Sequence, residues 1–492
     1  MNGCRVGVGH VEITPKHKGP TGGWGIGFGT LQAKPPTDPA EKLYATAIAL
    51  EDADGRRMVF VNADLHCASR PVWEAVASGA GLDPSQLVLS GSHTHNGPGQ
   101  PYGGWLFAFG STLPLGLSGH KRWLVDRIGK AVAEAVEALA PGGVTVVRGV
   151  VDGVGNNRAT PAWNQYPPDV IEDFLTNGPG RHLADEPRNA ARYRDPRITV
   201  LAARSDDGAD RGALAWYGVH PNSVGPKHPT FSADLYGWAR HHVVAATATP
   251  IGFGGGPAGD VSPQTLADDG HMLPPLESAA DAQGVGLAAE LGGRIGAAVV
   301  ELLQAAEPEP FTLAVAYDDW CADDVLPNPI YGMTQLGAGI DGPTDLWPQL
   351  EAGIHSPRVK EMAKRQFPPD DPQHPKVPWF HALKVPVTAR RVFDWGIPGS
   401  YPLHVIRVGD HVFATVPGEP TVMNCWRTEQ AMVAATGAAT ASVIGYAGDY
   451  CAYWVTPEEY REQRYEAGST VFGREASTEL RKALERLATT ID

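Results

Sequence analysis

Three apolar stripes at helical spacing, set far apart along 492 residues, constrain most strongly what this chain can fold into. Leu124, Ile128, Val132, Val136 and Leu139 recur about one helical turn apart and stop before Pro141-Gly142-Gly143. Leu287, Leu291, Ile295, Val299 and Leu302 repeat the pattern, and Leu480, Leu484 and Leu487 mark a helix near the C-terminus. Between these stripes lie short β-rich runs at residues 57–62, 87–89, 144–147, 198–201, 403–408 and 411–416. The last two are joined by Gly409-Asp410, a two-residue connection that favours a tight hairpin. Strands and helices therefore mix without regular βαβ alternation. The expectation is a mixed α/β (α+β) fold, a β-sheet core with antiparallel hairpins surrounded by helices.

Charge and cysteine usage narrow the function classes. Lys plus Arg is 40 against Asp plus Glu 55, a formal charge of −15 without long single-sign blocks, which argues against a nucleic-acid partner. No run approaches the ~18 consecutive apolar residues of a membrane helix, so no transmembrane segment is expected. The first residues run straight into a strand-like segment without a basic n-region and apolar h-region, which predicts a cytoplasmic protein. Cys4, Cys67, Cys321, Cys425 and Cys451 are odd in number and never in CxxC spacing, so a metal would be held by other residues. Nothing in the sequence speaks to oligomeric state.

Four segments carry residue types suited to chemistry. After the run at 87–89 comes HTHNGPG at residues 93–99. In an extended segment His93 and His95 share a face, an arrangement that suits two metal ligands or two hydrogen-bonded loop histidines. His220 ends an apolar run at 216–219 and is pinned by Pro221, as a ligand or as a structural histidine. In GGGPAGDVSP at 254–263 the glycines would expose Ser262 beside Asp260 and leave backbone N–H groups for an oxyanion; an Asx or Ser turn is the alternative. The spacing is not GxSxG, which weakens an α/β-hydrolase reading. Last, Glu419 sits between Gly418 and Pro420 at a strand end, followed by a tyrosine-rich stretch at 446–460.

In this order the segments resemble the catalytic domain of the neutral ceramidase family, zinc amidases that split ceramide into sphingosine and fatty acid. The resemblance covers nearly the whole chain: residues 7–15 (GVGHVEITP), 93–99, Asn157-Arg158, 219–221 (VHP), 259–263 (GDVSP), 341–343 (DGP), 416–419 (VPGE), 456–460 (TPEEY) and 463–470 (QRYEAGST). It implies that His93, His220, Glu419 and Tyr453 coordinate one Zn²⁺ per chain and leave room for water. Imidazole and carboxylate donors suit zinc, which lowers the pKa of bound water toward ~7 and polarises the scissile carbonyl. The resemblance further implies that His95 stabilises an oxyanion or carries a proton and that Arg158 faces the substrate's polar end or the leaving carboxylate. Asp260 and Ser262 match the family's Asp-Val-Ser, and Tyr460 adds a hydrogen bond. Zinc-activated water is favoured over Ser262 as nucleophile, because no histidine base accompanies the serine.

The expected partner is thus a small-molecule substrate, and residues 1–492 are expected to form a single zinc hydrolase domain without a following immunoglobulin-like domain. Two features depart from the family. Residues 420–427 read PTVMNCWR where Phe-Thr and an arginine-rich run are expected. Trp105, Trp163, Trp320, Trp347, Trp379, Trp395, Trp426 and Trp454 fall near the motifs, interleaved with Asp318, Asp319, Asp323, Asp324 and Arg390. Such a lining would suit a polar amide, an ester or lactone, or a glycoside on the same zinc scaffold. A zinc-binding protein without catalysis is the remaining alternative.

Overall fold

The computed structural model describes residues 3–23, 30–100, 117–188, 191–263, 282–326, 329–332, 334, 338–339, 342–343, 356–357 and 397–491. Eight strands form one sheet: β1 (Arg5–Glu12), β2 (Tyr44–Glu51), β3 (Arg57–Ala63), β4 (Leu87–Gly91), β5 (Ala140–Val150), β7 (Arg197–Ser205), β8 (Asp210–Tyr217) and β9 (Ile251–Gly255), in the order β4-β3-β2-β1-β5-β7-β8-β9. A four-stranded sheet contains β11 (Leu313–Cys321), β14 (Ser400–Val408), β15 (His411–Thr415) and β17 (Thr440–Ile444). Three short pairs complete the strands: β6 (Asn156–Asn157) with β10 (Val261–Ser262), β12 (Ala338–Gly339) with β13 (Gly342–Pro343), and β16 (Glu419–Pro420) with β18 (Tyr453–Trp454).

The mixed α/β expectation holds, including the hairpin. β14 and β15 pair antiparallel with Val408 opposite His411, and Gly409 takes the left-handed φ of 57° that the tight connection needs. The three stripes become α2 (Leu117–Glu137), α4 (Ala282–Ala305) and α6 (Ala476–Ala488), joined by α1 (Arg70–Gly79), α3 (Asp234–Thr247) and α5 (Val422–Thr436). One boundary differs from the sequence reading: β5 begins at Ala140 and takes in Pro141, Gly142 and Gly143, which the periodicity assigns to a turn. Pro141 stands at the strand start, where a missing N–H is tolerated.

Burial on both sheet faces explains why the strands read as apolar runs. On β2 and β3, Ala45, Ala47, Ala49, Val59 and Val61 pack under α1 and α2, while Ile48, Leu50, Met58 and Phe60 face the opposite way. That second face meets Leu201, Leu214 and Trp216 of β7 and β8 and Ile406 and Phe413 of the four-stranded sheet. The large sheet is thus folded back on itself at the two-residue join of β1 to β5, and Asn62 Nδ2 on β3 reaches the carbonyls of Ala215 (3.3 Å) and Gly252 (3.4 Å). Helices α3 and α4 cover β7 to β9, and α5 and α6 cover the four-stranded sheet. No described helix is long and apolar enough to cross a membrane.

Of the tryptophans named above, the four that are described belong to this packing. Trp163 and Trp426 lie in the cluster around α3 and α4, Trp320 and Trp454 in that around α5 and α6, and none exceeds 6% exposure. They are core residues rather than a stacking wall, because large rings bury more apolar area inside than any loop offers. Trp105, Trp347, Trp379, Trp395, Asp341 and Arg390 lie outside the described residues.

Candidate metal centre

Each chemically suggestive segment leaves the C-terminal end of a strand: His66 follows β3, His93 and His95 follow β4, His220 follows β8, Asp260 follows β9, Glu419 follows β15 and Tyr453 follows β17. Tyr446 knots several of these exits. Its carbonyl accepts from the N–H groups of Ala68 (2.9 Å) and Gly91 (3.1 Å), and its own N–H donates to Gly418 (2.9 Å). At Gly418, with φ 139°, a Cβ would stand 2.3 Å from the carbonyl oxygen of Ala452, so only glycine lets this turn deliver Glu419 to the start of β16.

His93, His220 and Glu419 meet in the interior. Nε2 of His220 lies 3.0 Å and Nε2 of His93 3.3 Å from Oε2 of Glu419, and all three residues are buried. The other ring nitrogens set the tautomers. Nδ1 of His93 donates to the carbonyl of His66 at 2.8 Å, and Nδ1 of His220 to that of Ala258 at 2.6 Å. A carbonyl only accepts, so each Nδ1 carries a proton, and each Nε2 faces the carboxylate, the position from which it can bind a metal ion. One ligand atom from each residue lies within 4.8 Å of the others. Two imidazoles and one carboxylate, pre-oriented from behind, fit a zinc-class ion.

Electrostatics agrees with that use. Burial pushes the His220 imidazole down to about 4, with Arg158 adding to the effect. Burial raises the Glu419 carboxyl, but His93 and His220 more than reverse this and hold it well below the usual carboxylate range. The free oxygen of Glu419, Oε1, accepts from the hydroxyl of Tyr450 at 2.5 Å. Neither spacing nor residue type distinguishes Tyr450 from the core tyrosines around it, and the sequence reading passed over it.

His93 and His95 converge, but not through an extended run. His93 has φ 70°, a left-handed conformation, and this bend brings the two Nε2 atoms to 3.3 Å. Burial, then the neighbouring His93, holds His95 well below the ordinary imidazole value. Tyr453 stands opposite Glu419 in the parallel β16–β18 pair. Its hydroxyl accepts from Nη2 of Arg158 at 2.8 Å; the same guanidinium donates to the Gly259 carbonyl (2.7 Å) and through Nε to Glu466 (2.9 Å).

The remaining predicted residues take different positions. Asp260 is buried; one carboxylate oxygen accepts from Asn157 Nδ2 (2.6 Å), the other from the N–H of Val422 (2.8 Å) at the first turn of α5, and burial pushes its pKa up to about 6. Ser262 is buried on β10, paired with Asn156, not exposed on a glycine turn. The N–H groups proposed for an oxyanion are engaged: Gly256 with Tyr217, Ala258 with Gly256, Gly259 with Pro420 and Val261 with Ala258. The glycines serve close packing instead, since a Cβ on Gly255 would stand 2.2 Å from the Tyr446 ring. Tyr460 is buried in the cluster of Tyr446, Tyr450 and Tyr453. Tyr465 is the ring packed on Tyr453, at 5.4 Å, and it lies 5.7 Å from the Arg158 guanidinium.

Comparison with known proteins converges on one family. The family model described as neutral/alkaline non-lysosomal ceramidase, N-terminal, matches residues 5–273 and 327–481. The neutral ceramidase of Pseudomonas aeruginosa is 26% identical over 505 aligned positions, covering 95% of this chain and 69% of that protein. That of Mycobacterium tuberculosis is 25% identical, covering 89% and 69%. Among solved structures, "Ceramidase complexed with C2" aligns over all of this chain and 75% of its own with TM-score 0.77 at 24% identity. The neutral ceramidase structure from Pseudomonas aeruginosa gives TM-score 0.75 at 22% identity, likeness of fold. With the profile matching most of its length, the chain belongs to the neutral/alkaline non-lysosomal ceramidase family.

Proposed function

We propose that this chain is a zinc-dependent amidase that hydrolyses the N-acyl bond of a ceramide-type lipid, with residues 1–492 acting as one catalytic unit. The observation that carries the reading is the buried His93–His220–Glu419 group, whose two histidines turn Nε2 toward one carboxylate oxygen. A zinc ion held there, with the Tyr453 hydroxyl as a fourth donor, supplies Lewis acidity that polarises an amide carbonyl and acidifies the attacking water.

The chain's own groups do the rest. Arg158 holds the Tyr453 hydroxyl as an acceptor and is itself held by Glu466. His95, neutral because it is buried, would take a proton from the attacking water and pass that proton to the leaving nitrogen. Asp260 ties Asn157 to the start of α5 and acts as a positioning residue. Support for an N-acyl lipid comes from the family and from the two relatives compared above, both neutral ceramidases. The four described tryptophans that would favour a polar substrate are core residues instead.

Two measurements test the proposal. Protein dialysed against metal-free buffer should retain about one zinc per chain, lost in His93→Ala and Glu419→Ala. Turnover should appear with a fluorogenic N-acyl sphingosine. Normal zinc retention in both variants, or silence toward N-acyl substrates with turnover of aryl glycosides, would overturn it.

A further inference from the structure

His66 belongs to none of the motifs that point to a function, yet it stands at the metal centre. Its ring centroid lies 4.4 Å from that of His93, 5.3 Å from His95 and 5.0 Å from Tyr450. Ligand atoms of His66, His93 and His95 all lie within 4.8 Å of one another, and the three residues are buried. The ring is also held from outside: a Cβ on Gly23 would stand 2.7 Å from His66 Cδ2.

This triad and the His93–His220–Glu419 group share His93. His93 has one nitrogen to offer, because Nδ1 is spent on the carbonyl of His66. A nitrogen lone pair binds one ion, so among the described residues an ion beside the first draws on His66 and His95 and completes its shell with further oxygen donors such as water or substrate. Imidazole donors select zinc-class ions over magnesium or calcium. Paired ions in hydrolytic sites stand ~3.5–4 Å apart, a spacing compatible with ligand atoms this close.

We propose that His66 and His95 form a second seat for a zinc-class divalent cation, beside the ion held by His93, His220 and Glu419. The proposal rests on that first assignment. Among the described residues the second seat has two protein donors and no carboxylate, so it fills only after the first and at higher free metal. An ion there also occupies His95.

The test is cobalt titration of the metal-stripped protein, with bound ions counted by equilibrium dialysis and the electron paramagnetic resonance signal followed. Wild type should take up about two ions per chain in two steps, and the second should diminish the signal of the first through spin coupling. His66→Ala and His66→Gln should stop at about one ion with the first step unchanged. Saturation of wild type at one ion, or a second uncoupled ion retained in both variants, would overturn the second seat alone. Failure to bind any ion would overturn the first assignment as well. The spin-coupling readout needs no substitution, so misfolding of a variant leaves the test intact.

Discussion

Tyr450 contributes a single hydroxyl to the centre, and that hydroxyl fixes the orientation of Glu419. Tyr450→Phe should keep the fold and weaken zinc binding by roughly 10–100-fold, the usual effect of removing a group that orients a ligand. Competition with a fluorescent chelator measures it, and unchanged affinity would exclude the orienting role. Ser262 offers the opposite case. It is buried on β10, and Ser262→Ala should retain substantial turnover; loss as complete as in His93→Ala would point back to a serine nucleophile. At this scale the sequence was readable where chemistry is written in the residue type: His93, His95, His220 and Glu419 are potential ligands near strand ends. His66, Tyr450 and Tyr465 were not, because their roles come from contacts with residues 27 to 307 positions away, such as His66 O to His93 and Tyr465 to Arg158.

Among the elements, β9 reaches the centre through packing alone. Gly255 closes β9 against Tyr446, and Tyr446 stacks on His93 at 4.0 Å. Gly255→Ala should destabilise the protein by about 1–3 kcal/mol and weaken zinc binding together, since the added methyl must displace the ring under a ligand. Urea unfolding read beside metal affinity checks it; a loss of stability with metal binding intact would separate the two. Helix α1 carries a pH-dependent contact. The Arg70 N–H at its first turn donates to Asp449, whose carboxyl burial pushes up to about 7 from the ordinary 3.8. The folded protein then binds the proton more tightly than the unfolded chain, so this group favours folding at low pH and loses that contribution as pH rises from about 4 to about 7. Asp449→Asn should remove that slope, seen as a flatter stability curve than wild type between about pH 4 and about pH 7. The helices were legible as periodic stripes, and the hairpin at Gly409 as turn chemistry. The bend at His93 was not, because a left-handed histidine has no signature in the sequence and is held only by the loops around it.

For the molecule as a whole, the proposed ligands lie between residues 93 and 453 and come from the exits of different strands in both large sheets. An ion that binds only the folded chain adds RT ln(1 + [L]/Kd), roughly 4 kcal/mol at a thousandfold excess over Kd. Chelation should therefore lower the melting temperature by a few degrees while the transition stays single, because the four large apolar clusters under the sheets do not involve His93, His220, Glu419 or Tyr453. Two separated calorimetric transitions would overturn the single catalytic unit, and an unmoved melting temperature would count against the metal. By itself the sequence determined the irregular mix of helix and strand, the hairpin, and the donors near strand ends, since these are local matters of periodicity, turn chemistry and residue type. Only the tertiary structure decided that those donors meet, which nitrogen each histidine presents, that Tyr450 and His66 join them, and that four of the tryptophans are core. Those outcomes follow from the folding of the large sheet back on itself and the packing of the four-stranded sheet against it, which set the exits of β4, β8 and β15 side by side, and no pattern within one segment encodes that approach.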